Sequence, residues 1–288
     1  MKNHFKIFLP SLFVTCILWC CGKDSPPTPI IPEIRCLIQS ETYGLSGNEK
    51  GFAYEYTLQN DKETLNKVNV LRPNGSISGS YSVGGPFVIY DYTYGSYNMR
   101  TQWEYSSPLT EGLLPTNATL LIDDGSAGKV LVDYDIVHFG YDTKGHLTEV
   151  KTRRGTRTGG FEYDITIHYN DQGNVTGIKY VYFTGPNVAI PIITVSGYDD
   201  KPNPHSGIVG WRFFLINYSW EYGDPGNLIA ALSQNNPLGF SMGSGETLFE
   251  RKIDYEYTTD GYPAIQKNTN KNASGEYSFI QTYTYVCK

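Results

Sequence analysis

In FEYDITIHY, residues 161–169, Phe161, Tyr163, Ile165, Ile167 and Tyr169 alternate with Glu162, Asp164, Thr166 and His168. Strict alternation puts the two sets on opposite faces of an extended strand, the mark of a half-buried antiparallel sheet. EYSFIQTYTYVC, residues 276–287, does the same: Tyr277, Phe279, Tyr283, Tyr285 and Cys287 share a face interrupted only by Gln281. Between such runs stand short polar phrases. In GYDTKGHLTEVK, Tyr141, Gly145, Leu147 and Val150 occupy the offsets that Tyr169, Gly173, Val175 and Ile178 hold in HYNDQGNVTGIK. YTTDGYPAIQK opens alike with Tyr257 and Gly261, then slips because Pro263 takes the apolar place. YTLQNDKETLNKV, from Tyr56, is a weaker copy without the glycine. Each phrase predicts a strand, a turn whose glycine takes positive φ, and a second strand. TLLIDDGSAGKVLVDYDI, residues 119–136, predicts a further hairpin turning around Asp124-Gly125.

Two segments depart from this pattern. In YGDPGNLIAALSQNNPLG, Asp224 fits an N-cap and Pro225 the first helical position, and the spacing predicts a helix ending near Asn235-Asn236, before Pro237. GYDDKPNPHSG, residues 197–207, reads as a rigid loop, because Pro202 and Pro204 hold the backbone around Asn203. The expected fold class is all-β: an antiparallel meander of hairpins forming a large curled or barrel-like sheet, with one short helix near 225–235. The 24 tyrosines and 30 glycines agree with strands joined by tight turns. Alternation alone does not choose between an open sheet and a closed barrel.

The first residues belong to another kind of segment. Lys2 and Lys6 precede an apolar run from Ile7 to Trp19. That run is short of the ~20 residues a membrane-spanning helix needs and matches the apolar core of a secretory signal. Pro26, Pro27, Pro29 and Pro32 follow, and prolines at this density favour an extended spacer of ~3.1 Å per residue. The expected division is a signal over residues 1–20, a tether over 21–33 and a single all-β domain over 34–288. Losing residues 1–20 removes two lysines and no acid, taking the formal charge from −6 to −8. An acidic chain without basic runs excludes nucleic acid as the expected partner. Cys36 and Cys287 remain at the two ends of the domain. In an exported protein they are either bonded, closing a loop worth roughly 4–5 kcal/mol, or two buried thiols.

Leu18, Trp19, Cys20 and Cys21 resemble the lipobox of bacterial lipoproteins, with Cys21 as lipid acceptor, although Trp19 is bulkier than the usual residue there. The resemblance implies permanent anchoring by several acyl chains, such as palmitate. Lys23-Asp24 is similar to the short charged signal that sends Bacteroidetes lipoproteins to the cell surface. The hairpin phrases, residues 198–204, the NLIAALSQNNPLG segment and the closing strands together resemble a Bacteroidetes lipoprotein family described as a domain of unknown function with a porin-like β fold. That family carries no agreed activity. Its resemblance implies fold and an outer-membrane, lipid-anchored location facing the cell exterior.

Candidate chemistry is sparse. Gly239 to Gly243, GFSMG, matches a hydrolase elbow in spelling, but no histidine follows Ser241 and a glycine-rich loop is the expectation. DDGSAGKV lacks the first glycine of a phosphate-binding loop, since Asp123 stands there. His146 and His168 read as solvent-facing; His205, near Asp199 and Asp200, is the one histidine with acidic neighbours. No spacing predicts a metal or a cofactor. Aromatics are the stronger signal: Trp103 with Tyr90, Tyr92 and Tyr94 is the candidate ligand surface, whereas Trp211 and Trp220 read as core. The expected function is a non-catalytic, surface-tethered binding module for an extracellular glycan or protein. The alternative is a structural or envelope-assembly lipoprotein that meets an outer-membrane protein through a sheet edge. A glycoside hydrolase ranks third, because it needs paired carboxylates that no motif supplies.

Overall fold

A computed structural model describes residues 36–44, 50–59, 62–94, 97–109, 114–123, 132–154, 163–182, 192–206, 225–243 and 248–287. The signal, the lipobox at Cys21, the tether, Asp224, Trp211, Trp220, the turn around Asp124 and the Tyr94 side chain lie outside the described residues. The first strands are β1 (Cys36–Gly44), β2 (Lys50–Gln59), β3 (Lys62–Leu71) and β4 (Ile77–Gly84). Then come β5 (Phe87–Tyr94), β6 (Tyr97–Tyr105), β7 (Asn117–Asp123) and β8 (Val132–Tyr141). β9 (Leu147–Arg154), β10 (Tyr163–Tyr169), β11 (Val175–Tyr182) and β12 (Ile192–Pro202) precede helix α1 (Pro225–Leu232). The chain ends with β13 (Asn235–Met242), β14 (Phe249–Tyr257), β15 (Pro263–Asn272) and β16 (Gly275–Cys287).

Each strand pairs with its sequence neighbours, and β16 returns to pair with β1, so the sheet closes as a barrel of sixteen antiparallel strands. Closure leaves no row of unpaired backbone groups along an edge. It also brings the domain ends together: Cys36 and Cys287 face each other across the β1–β16 seam and form a disulfide. Antiparallel order defines two rims. One carries Cys36, Cys287 and the odd-strand starts; the opposite rim carries the β3–β4 and β15–β16 turns.

Gly145, Gly173 and Gly261 take φ of 81°, 79° and 83°, as the repeated phrase predicts. In each five-residue turn the glycine N–H donates to the first turn carbonyl, and the first N–H donates to the last carbonyl. Leu71 to Ile77 is a further copy, with Gly75 at 77°, masked in the sequence because leucine replaces the tyrosine. The tyrosine itself has a structural reason. Tyr169, Tyr198 and Tyr285 each donate to the carbonyl of the first residue of the preceding strand: Leu147 at 2.9 Å, Val175 at 2.7 Å and Pro263 at 2.7 Å. Tyr56 and Tyr255 reach back likewise to Ile38 and Pro237, and Tyr141 to Pro115 just ahead of β7. The half-buried phenols thereby satisfy their hydroxyls, each bond contributing roughly 0.5–1.5 kcal/mol.

Three sequence expectations are corrected here. The helix stops at Leu232, because Asn203 donates its amide to the carbonyls of Ala230 and Ser233, and Asn235 already begins β13. GFSMG is not a loop: Gly239 to Met242 continue β13, and a Cβ on Gly239 would collide with the Arg251 carbonyl on β14. Pro237 is tolerated there because the β12–β13 register shifts on both sides of Tyr198, its partner. The 197–207 segment is strand up to Pro202, and turn only from Asn203 to Ser206.

Register and burial agree on which face is inside. Tyr81, Val88, Trp103, Leu120, Val150, Ile165 and Ile178 point into the lumen and are buried. The outer wall is polar. On β14, Glu250, Lys252, Asp254 and Glu256 point outward, with Lys271 and Lys267 paired opposite Glu250 and Asp254. Lys67, Arg100, Lys151, Arg153 and Lys179 also stand on the outer face.

Candidate functional site

The lumen has two unlike halves. Under β4 to β11 it is a packed aromatic and aliphatic core. Tyr90 stacks between Tyr81, at 4.1 Å between ring centroids, and Tyr92, at 4.7 Å. Trp103 is 8% exposed and Tyr90 7%, and both point inward. This is where the structure places the aromatic candidates: Trp103 and Tyr90 are inside the barrel wall, with no ring face turned to the surrounding solvent. Tyr92 is half-buried and packed on the same core.

Under β13 to β16, β1 and β2 the inward positions change character. They read Arg251, Ile253 and Tyr255 on β14, Gln266, Asn268 and Asn270 on β15, and Phe279, Gln281 and Tyr283 on β16. Polar side chains do not fill a lumen as branched apolar ones do, and a cavity of about 220 Å³ remains. Its wall includes Glu41, Phe52, Arg251, Gln266, Phe279 and Tyr283, and Gly226, Asn227 and Ala230 of α1 close one side. The helix buries Leu228, Ile229, Ala231 and Leu232.

Glu41 is the electrostatic centre of the cavity. It is 4% exposed, accepts the Tyr54 hydroxyl at 2.5 Å and the Gln281 amide at 3.0 Å, and stands 3.5 Å from His205 Nε2. Burial, then the Glu41 charge, holds the Tyr54 and Tyr283 hydroxyls well above the ordinary phenol range, so both stay protonated donors. Tyr283 donates to Gln266 Oε1 at 2.6 Å, and Gln266 donates onward to Asn268 Oδ1 at 3.0 Å. Arg251 supplies the opposite charge. Its Nε donates to Asn270 Oδ1 at 2.7 Å, and its guanidinium lies 5.1, 5.7 and 5.3 Å from the rings of Phe240, Phe249 and Phe279. A cation over aromatic faces is stabilised by about 0.5–2 kcal/mol per favourable contact, the larger figure when it is desolvated.

The remaining sequence candidates do not converge on this cavity as a group. His205 does, but Asp199 is held by the Asn236 amide and Tyr257 hydroxyl, and Asp200 is exposed beside Lys201. His146 is not solvent-facing: it is 2.8 Å from Asp142 Oδ2 and stacks on Tyr169 at 4.8 Å. His168 is exposed on the outer wall. Ser241 stands on β13 with no histidine beside it among the described contacts. Cys36, Cys287 and Asp260 lie close together, but both sulfurs are spent in the disulfide. Glu41 and Arg251 carry no sequence signal, and Gln281 shows in the sequence only as the polar interruption of an otherwise aromatic face.

Among the described residues, fold and site together define a closed sixteen-stranded barrel whose lumen is packed under β4 to β11 and holds a small cavity of mixed amide and aromatic lining under β13 to β16. A crystal structure of a porin-like protein from Bacteroides uniformis ATCC 8492 is similar, with a TM-score of 0.54, 11% identity, and coverage of 86% of this chain and 96% of that one. A porin-like protein from Bacteroides vulgatus ATCC 8482 aligns over 87% of this chain and 98% of its own, with a TM-score of 0.39 and 12% identity. No protein-family model and no curated protein matches the chain. At such identity the likeness to the first structure establishes the fold alone.

Proposed function

We propose that this protein is an envelope lipoprotein, anchored to the outer membrane through lipid on Cys21, whose barrel stands in water and binds an extracellular ligand without transforming it. The observation that carries this reading is the polarity of the wall. A barrel spanning a bilayer turns an apolar band to lipid and keeps a polar interior. This barrel departs from that plan: charged side chains stand along the outer wall among scattered apolar ones such as Ile136, Ile192 and Ile280, and the lumen under β4 to β11 is packed with Tyr, Trp, Ile and Val. A lipid-facing Lys or Arg costs about 2–4 kcal/mol at the bilayer midplane and about 0–1 near the interfaces, so the eight outward cations would cost up to about 16–32 kcal/mol, less for those near a rim. That equals or exceeds the ~5–15 kcal/mol that holds a domain folded. Membrane attachment therefore falls to the lipid. Among the described lining residues Glu41 is the single carboxylate, which supports binding over hydrolysis by a carboxylate pair. Docking through an open sheet edge has no edge to use, because β1 pairs with β16.

The test is fractionation of a Gram-negative host expressing the full chain. The wild type is expected in the outer-membrane fraction, and Cys21→Ser in the soluble fraction with its barrel intact. Retention of Cys21→Ser in the membrane, or ion conductance by the purified barrel in planar bilayers, overturns the reading.

A further inference from the structure

The lumenal cavity departs from the packing around it. Its volume of about 220 Å³ lies below the ~300–1,000 Å³ of pockets that take drug-sized ligands. Residues of β1, β2 and β13 to β16 wall it and α1 closes one side, a size and shape that suit a compact unit or a chain end. Its charges are already committed within the protein. Both Glu41 oxygens accept protein donors, and Arg251 lies against Asn270 and three phenylalanine rings. A neutral guest therefore leaves the charge balance of the lumen undisturbed, whereas a charged one brings a new desolvation cost.

What the cavity does offer is amide and aromatic surface. Asn227 and the amides of Gln266 and Gln281 stand beside Phe52, Phe279 and Tyr283.

We propose that this cavity binds one neutral sugar ring, free or as the end residue of a glycan. A ring whose hydroxyls both donate and accept matches the amides, and its apolar face matches the phenylalanines. This rests on the binding reading above and names the ligand class and the place.

The experiment uses residues 34–288, whose described strands pair only with one another and whose disulfide closes within the unit. Thermal shift and calorimetric titration are run with glucose, galactose, mannose, N-acetylglucosamine, oligosaccharides ending in each, free amino acids, short peptides and calcium chloride. One monosaccharide is expected to raise Tm by several degrees at saturating concentration. Ala230→Leu, which fills the cavity from the helix side, and Asn227→Ala, which removes an amide from its wall, are each expected to weaken it at least tenfold while the circular dichroism spectrum stays native. Equal binding of an oligosaccharide with that end residue assigns the chain end; binding of the free sugar alone assigns the enclosed ring. A sugar that both variants bind as the wild type does, or a preference for amino acids, overturns the cavity assignment and leaves the binding reading standing. Silence across the whole panel overturns both.

Discussion

The disulfide at the seam joins the two ends of the closed sheet. The Cys36–Cys287 bond links residues 251 apart, so it constrains almost the entire unfolded domain. In the chain-entropy treatment a loop of that length removes about 19 cal/mol/K from the denatured state, or about 5.5 kcal/mol at 25 °C. Native-state interactions at the seam survive its removal: β1 and β16 keep their backbone ladder, and Ser40–Thr284 and Thr42–Thr282 keep hydroxyl contacts of 2.7 and 2.6 Å. The double variant Cys36→Ser, Cys287→Ser is therefore expected to fold to the same barrel yet lose about 4–6 kcal/mol in urea unfolding. Its m-value should rise, because an uncrosslinked denatured chain exposes more surface. Wild-type protein unfolded in the presence of reductant should reproduce both changes. A loss below about 1 kcal/mol with an unchanged m-value would refute the reasoning, since the denatured state would then be compact without the bond.

Other outcomes follow from local geometry. Glu41→Ala leaves the buried Tyr54 hydroxyl and Gln281 amide without their acceptor, and chemical denaturation should show about 2–4 kcal/mol of lost stability. Gly173→Ala places a side chain at φ 79° with Gln234 and His146 atoms at 3.2 Å, and should cost about 1–2 kcal/mol in the same assay. Tyr169→Phe removes one donor to a strand-end carbonyl, so a Tm decrease matching about 1 kcal/mol is expected, with no change in oligomeric state. Burial raises Tyr54, Tyr198, Tyr255, Tyr283 and Tyr285 above the ordinary phenol range. Above about pH 10 the unfolded chain ionises first and binds fewer protons than the fold, so stability is intact below that pH and falls as pH rises through the folded-state values. Alkaline titration should show tyrosinate absorbance appearing together with loss of β structure; early titration of all the phenols in a still-folded barrel would contradict it.

The alternation over residues 163–169 and 276–287 placed side chains on the correct faces because a strand's period of two is a local property. Gly145, Gly173 and Gly261 announced their turns because positive φ is strained for other residues, also a local fact. The helix start at Pro225 was legible for the same reason, and its end was not, since Asn203 on a distant segment decides it. Closure belongs wholly to the tertiary structure. Whether sixteen strands curl far enough for β16 to meet β1 depends on twist and stagger accumulated over the whole sheet. Closure in turn joins Cys36 to Cys287, turns Trp103 and Tyr90 into the lumen, and leaves the charged strand positions on the outer wall. It also gathers the cavity, where Glu41 meets His205, Arg251 and Gln281 from far along the chain. A side chain's face is written by its neighbours two residues away; which face becomes the inside is written by the shape of the whole sheet.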